Sequence, residues 1–78
     1  MRKKQTVLAV TFYTTASAMA TEKTCTAAGI PGRLAPVPRS LSADCGIAFL
    51  TEVSQAAALC AALSAADIEY EGIFETEL

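Results

Sequence analysis

The stretch "GRLAPVPRSLSADCGIAFL", residues 32–50, decides how this chain folds. Both of its halves are extended in character. Residues 33–38, RLAPVP, hold Pro36 and Pro38 two positions apart. Alternate N–H groups of a strand point to the same side, so both missing donors fall on one edge, and the segment suits the open edge of a sheet. Residues 45–50, CGIAFL, make the next strand, and Arg39 to Asp44 between them suits a hairpin connection.

Working outward from that hairpin, each side repeats one pattern. Upstream, residues 6–13, TVLAVTFY, are β-branched and aromatic with nearly continuous apolar character, which predicts a central strand. A helix follows over Ala16 to Ala28, with Thr14, Thr15 or Ser17 to cap its start and Gly29-Ile30-Pro31 to stop it. Its inward stripe reads Ala18, Thr21, Cys25 and Ala28. Downstream, Glu52 to Ala66 has Val53, Ala56, Leu59, Cys60, Leu63 and Ala66 within one helical face, which makes Cys60 a core residue. Last, IEYEGIFETEL sets Ile68, Tyr70, Phe74, Thr76 and Leu78 against Glu69, Glu71, Glu75 and Glu77, a strand with one buried and one wet face.

The order is βαββαβ, which predicts an α+β, ferredoxin-like two-layer sandwich over residues 1–78 as a single domain. With right-handed crossovers the antiparallel sheet runs 4-1-3-2. The proline-bearing strand then falls on an edge. The last strand lies beside the first, which brings Glu75 and Glu77 near Lys3 and Lys4.

That last point explains the charge distribution. All six Lys and Arg lie in residues 1–39, and seven of the eight Asp and Glu lie after them. Segregation of this kind fits two ends of a chain meeting in the fold. Because the second half carries no basic residue beyond Arg39 and aromatics are sparse, nucleic acid is not an expected partner. With no His, the chain lacks the imidazole of a Cys-His or Ser-His pair and of a zinc site, so hydrolase triads drop out and no metal or cofactor is expected. At 78 residues a single core is barely sufficient, and a homodimer is a reasonable expectation.

The first twenty residues, MRKKQTVLAVTFYTTASAMA, have the outline of a secretory signal: a basic start, an apolar stretch, and Ala18-Met19-Ala20 as a cleavage site. Against that, the apolar stretch is short and broken by Thr11, and cleavage would remove the most hydrophobic strand. The expectation is a retained strand in a cytoplasmic protein without a membrane association. Three widely spaced cysteines without a CxxC pair also suit a reducing compartment.

Cys45 fits no apolar stripe. In the expected topology the first strand ends where the first helix begins, and the third strand starts beside it. Cys45, Arg39 and the helix N-terminus therefore share one end of the sheet. Unpaired helical N–H groups and a guanidinium both favour a thiolate, which would make Cys45 a nucleophile. Gly46 leaves room for a second molecule or sulfur atom, and hydroxyls of Thr14, Thr15, Ser40 and Ser42 offer hydrogen bonds to an anion. Asp44 opposes this unless it points away. The competing reading makes Cys45 a half-buried strand residue, Gly46 a bulge, and Arg33 and Arg39 solvated charges that discourage strand addition. Cys25 and Cys60 read as structural, each on an inward stripe.

The runs VTFYTTASAMATEKTC, GIPGRLAPVPRSLSADCGIAF and IEYEGIFE resemble the small bacterial and archaeal proteins of the DUF3343 family, a selenium/sulfur carrier protein-like group. The resemblance spans residue 6 to the C-terminus and is most specific in GRLAPVPR followed by Cys-Gly. It implies that Cys45 and Gly46 are the family's Cys-Gly motif. By the same resemblance Arg33 lies in its Gly-Arg-Leu segment, and Pro36, Pro38 and Arg39 lie in its Pro-x-Pro-Arg element. The alanine-rich second helix departs from the family without touching those motifs. Together these imply a carrier that takes sulfur or selenium on Cys45 from a donor protein and passes it to an acceptor. The other reading that the residues allow is a non-catalytic interaction or ligand-binding module, since one fold serves many functions.

Overall fold

A computed structural model describes residues 6–37 and 46–77. Strand β1 (Thr6–Thr11) leads into helix α1 (Thr15–Ala28), followed by strands β2 (Arg33–Pro36) and β3 (Ile47–Glu52). A 3-10 turn, Val53–Gln55, precedes helix α2 (Ala56–Ala65), and β4 (Gly72–Glu77) ends the described chain. The four strands form one sheet in the order β2-β3-β1-β4, which is the expected 4-1-3-2 read from the other edge. Every neighbouring pair is antiparallel. The juxtaposition of Glu75 and Glu77 with Lys3 and Lys4 lies outside the described residues.

The pleat divides the strands between two faces. Leu8, Val10, Phe12 and Phe49 point to one face and join Ala18 and Cys25 of α1 and Leu59 and Leu63 of α2 in the main core. Both helices therefore lie on the same side of the sheet. Ala9, Ala48 and Leu50 point to the other face, with Val7, Ala35, Val37 and Phe74 packed around them. Buried threonines find carbonyl acceptors: Thr21 Oγ1 donates to the Ser17 carbonyl at 2.9 Å within α1, and Thr51 Oγ1 donates to the Pro31 carbonyl across the fold.

The two helices end in the same way. At the end of α1, Gly29 takes φ 76°, its N–H donates to the Thr26 carbonyl, and the Ile30 N–H donates to the Cys25 carbonyl. At the end of α2, Asp67 takes φ 55°, its N–H donates to the Ser64 carbonyl, and the Ile68 N–H donates to the Leu63 carbonyl. Both are Schellman motifs, in which a left-handed residue lets the chain satisfy carbonyls that the helix leaves open. In both the next residue is an isoleucine that packs on the main core.

Several expectations are corrected. Cys60 is exposed, whereas Cys25 is buried as expected. Leu59 and Leu63 set the buried line of α2, and Cys60 is turned about 100° from Leu59, past the edge of that line. Ala28 is likewise exposed. The second helix does not begin at Glu52, because Glu52 pairs with Val7 as the last residue of β3. The first strand stops at Thr11 rather than Tyr13. The last strand starts at Gly72 rather than Ile68, because Ile68 closes the Schellman motif of α2. Ile73 joins the helix-side core while Phe74 packs on the opposite face, so β4 is apolar on both sides rather than on one. No helix among the described residues is long and apolar enough to cross a membrane.

Candidate functional site

The register determines which candidate residues meet. The last β1–β3 pair is Thr11↔Ala48, so Gly46 lies two residues beyond it on one strand and Thr14 three residues beyond it on the other. The first β4 residue, Gly72, also pairs with Thr11, and the Glu71 N–H donates to the Thr11 carbonyl at 2.6 Å. One end of the sheet thus gathers Gly46, the start of α1 and the Glu71-Gly72 entry to β4.

Gly46 takes φ 71°, a left-handed conformation that favours glycine, and a Cβ built on it meets nothing within 4 Å. The demand for glycine is therefore conformational, and the space beside its Cα is open. Its carbonyl accepts from the Val37 N–H at 2.9 Å, one step past the Pro36↔Ile47 pair. That bond ties together the two points between which residues 38–45 run. Cys45 and Arg39 belong to this segment and lie outside the described residues.

Thr14 is the N-cap of α1: its Oγ1 accepts from the Ser17 N–H at 3.2 Å and donates to Ser17 Oγ at 3.1 Å. Its hydroxyl hydrogen is therefore engaged within the cap. Thr15 is the first residue of α1 and is exposed. The opening turn of the helix holds no acidic residue, so its positive end is uncompensated by the helix's own side chains. Arg33 is exposed at the far end of β2, paired with Leu50. It stands three residue steps from Pro36, roughly 10 Å of strand. The fold therefore brings Gly46, Thr14 and Thr15 to one end and leaves Arg33 apart from them.

Two features escape sequence reasoning. Glu71 stands at the gathered end, and its Oε1 is buried with no hydrogen-bond partner, the one such side-chain atom among the described residues. Nothing in the alternation of glutamates separates Glu71 from its neighbours. The second is exposed Cys60, which lines a shallow groove of about 230 Å³ with Leu63, Ser64, Asp67, Ile68 and Tyr70. By contrast, burial pushes the Cys25 thiol pKa up. No group of His, Cys, Asp and Glu among the described residues is placed to hold a metal ion.

The arrangement is that of a small α+β protein whose open sheet end, beside a helix start and a left-handed glycine, receives the chain directly after Cys45. The chain belongs to the family described as "Putative Se/S carrier protein-like", whose model matches residues 8–75. No curated protein and no solved structure shows significant similarity to it.

Proposed function

We propose that this protein carries a single sulfur or selenium atom on the Cys45 thiol and hands it to an acceptor protein. Membership of the carrier-like family is the observation that carries this reading. The geometry around Gly46 supports it. The residue after Cys45 sits beside open space and at the same end as an uncapped-by-charge helix start, whose partial positive potential favours a thiolate nearby. Thr15 and the first amides of α1 serve as donors to an anionic adduct, and Arg39, six residues before Cys45 in the sequence, supplies a cation from the same segment. Arg33 contributes to the family motif from farther along β2.

In the transfer, the Cys45 thiolate attacks the outer sulfur of a donor persulfide. A new S–S bond forms on Cys45, the donor's S–S bond breaks, and its electron pair leaves on the donor thiolate. Delivery to an acceptor thiolate is the same exchange in reverse. A selenium atom follows the same route as a selenosulfide. No oxidant is consumed at either step, and the protein acts as a carrier with donor and acceptor proteins as its partners. We assign the fold to the ferredoxin-like class as one domain, and place the protein in the cytoplasm, where thiols stay reduced.

Exposed Cys60 sets the terms of the test, since it is open to modification in its own right. The Cys60→Ser protein is purified without reductant from cells supplied with sulfide or selenite, and its intact mass is read before and after reduction. The expected result is a reducible adduct of one sulfur or one selenium atom that disappears when Cys45→Ser is added. An unmodified chain under both supplements overturns the carrier reading and leaves a non-catalytic interaction module.

A further inference from the structure

We infer that the free edge of β4 is a docking strand for an extended segment of a partner protein with basic residues at alternate positions. Among the described residues β4 is one of the two edges of the sheet, paired only with β1. An edge strand presents a row of unpaired N–H and C=O groups that an incoming strand can satisfy. The opposite edge, β2, is poorly suited to this. It has four residues, ends in Pro36, which has no N–H to give, and begins with an exposed Arg33. β4 has six residues and no proline.

The side chains of β4 specify the partner's chemistry. Glu75 and Glu77 are exposed on the helix side of the strand, and their neighbours on β1 are Leu8 and Thr6. Lys23 on α1 and Arg33 on β2 are the described cations, and neither forms an ion pair with them. Arg33 stands on the other edge strand, about 14 Å away at three strand spacings. The two carboxylates therefore repel each other along the strand with no cation among the described residues to offset them. A second copy of β4 laid against this edge would add like charges, whereas a strand with Lys or Arg opposite both would remove the repulsion. On the same face Ile73 takes an apolar partner residue, and on the other face Phe74 takes a β-branched or aromatic one.

A strand added here ends beside Gly72, at the end of the sheet where Gly46 lies. It stands three strand spacings, again about 14 Å, from β3. That places the docked partner at the same end of the sheet as Gly46, the residue after Cys45 in the sequence. Its being the donor or acceptor rests on the carrier reading, but docking itself does not.

The test uses the full-length Cys45→Ser chain, labelled with nitrogen-15, so that failure of docking and failure of sulfur transfer are read separately. The probe is the capped peptide Lys-Thr-Lys-Val-Val-Thr, which in antiparallel pairing sets its lysines opposite Glu77 and Glu75. The expected result is amide shifts and slowed hydrogen exchange confined to Ile73–Glu77, with salt-sensitive affinity. Glu75→Gln/Glu77→Gln should weaken binding about fivefold while the circular dichroism melt is retained. Equal binding by the Glu-Thr-Glu-Val-Val-Thr peptide, shifts centred on β2, or no shifts at millimolar peptide overturns the proposal.

Discussion

Gly32 shows how closely one position is specified. It has ordinary backbone geometry, yet a Cβ built on it would overlap the Phe49 ring and stand 2.7 Å from the Leu50 carbonyl oxygen. Phe49 is fully buried in the main core, so the ring has no empty direction to retreat into. Gly32→Ala is expected to cost about 1–3 kcal/mol by overpacking, measured by urea unfolding at unchanged slope. A cost near zero would mean that the Phe49 ring has room to shift.

Cys25 links burial to pH at the same scale. Its folded-state pKa is raised by desolvation above the ordinary value of 9.0. Above that value the unfolded chain loses its proton while the folded thiol keeps it, so the unfolded state holds fewer protons and stability falls as pH rises. Below pH 9.0 the contribution is fully present. The wild-type chain should therefore lose stability from about pH 9 upward relative to Cys25→Ala, a gap visible in paired thermal melts. Parallel pH profiles would count against it. The exposure of Cys60 is hidden in the sequence for a physical reason. In AAALCAALSAA almost every position is small and apolar, so the period has no phase until Leu59 and Leu63 supply one.

Among elements, the paired helix ends are the most informative comparison. Gly29 announced the first of them from the sequence, because a glycine followed by Ile-Pro reads as a stop. Asp67 announced nothing, since aspartate adopts the left-handed conformation only at some cost. Without such a signal the sequence does not separate Ile68, which closes the end of α2, from β4, which starts at Gly72. The same comparison predicts opposite outcomes for two substitutions. Asp67→Gly relieves the left-handed strain and should stabilise by about 0.5–1 kcal/mol. Gly29→Ala imposes that strain and should destabilise by about 1 kcal/mol. Thermal unfolding of the two variants beside wild type decides the point, and shifts of the same sign would contradict it. Strand identities, by contrast, were legible, because TVLAVT, IAFL and GIFETE combine β-branched and aromatic residues at strand spacing.

At the scale of the whole molecule, strand order followed from the central hairpin and the handedness of crossovers, and the sheet is arranged accordingly. The end of the sheet at which Thr14, Thr15 and Gly46 meet followed from that order. Arg33's separation from them followed from register alone, which single-sequence patterns fix less firmly than element identity. Glu71's buried oxygen depends on tertiary placement and has no signature in the alternation of a glutamate-rich strand.

The Val37–Gly46 bond has an engineering consequence. Because it ties the chain just before residue 38 to the chain just after residue 45, the sheet is closed on both sides of this segment, and residues inserted between Arg39 and Cys45 should leave the pairing of β2 with β3 unaltered. Loop-closure entropy grows only with the logarithm of length, so doubling the length of this segment would cost about 0.6 kcal/mol. Insertions there would lengthen the run that precedes Cys45 in the sequence while the four-stranded frame keeps its order.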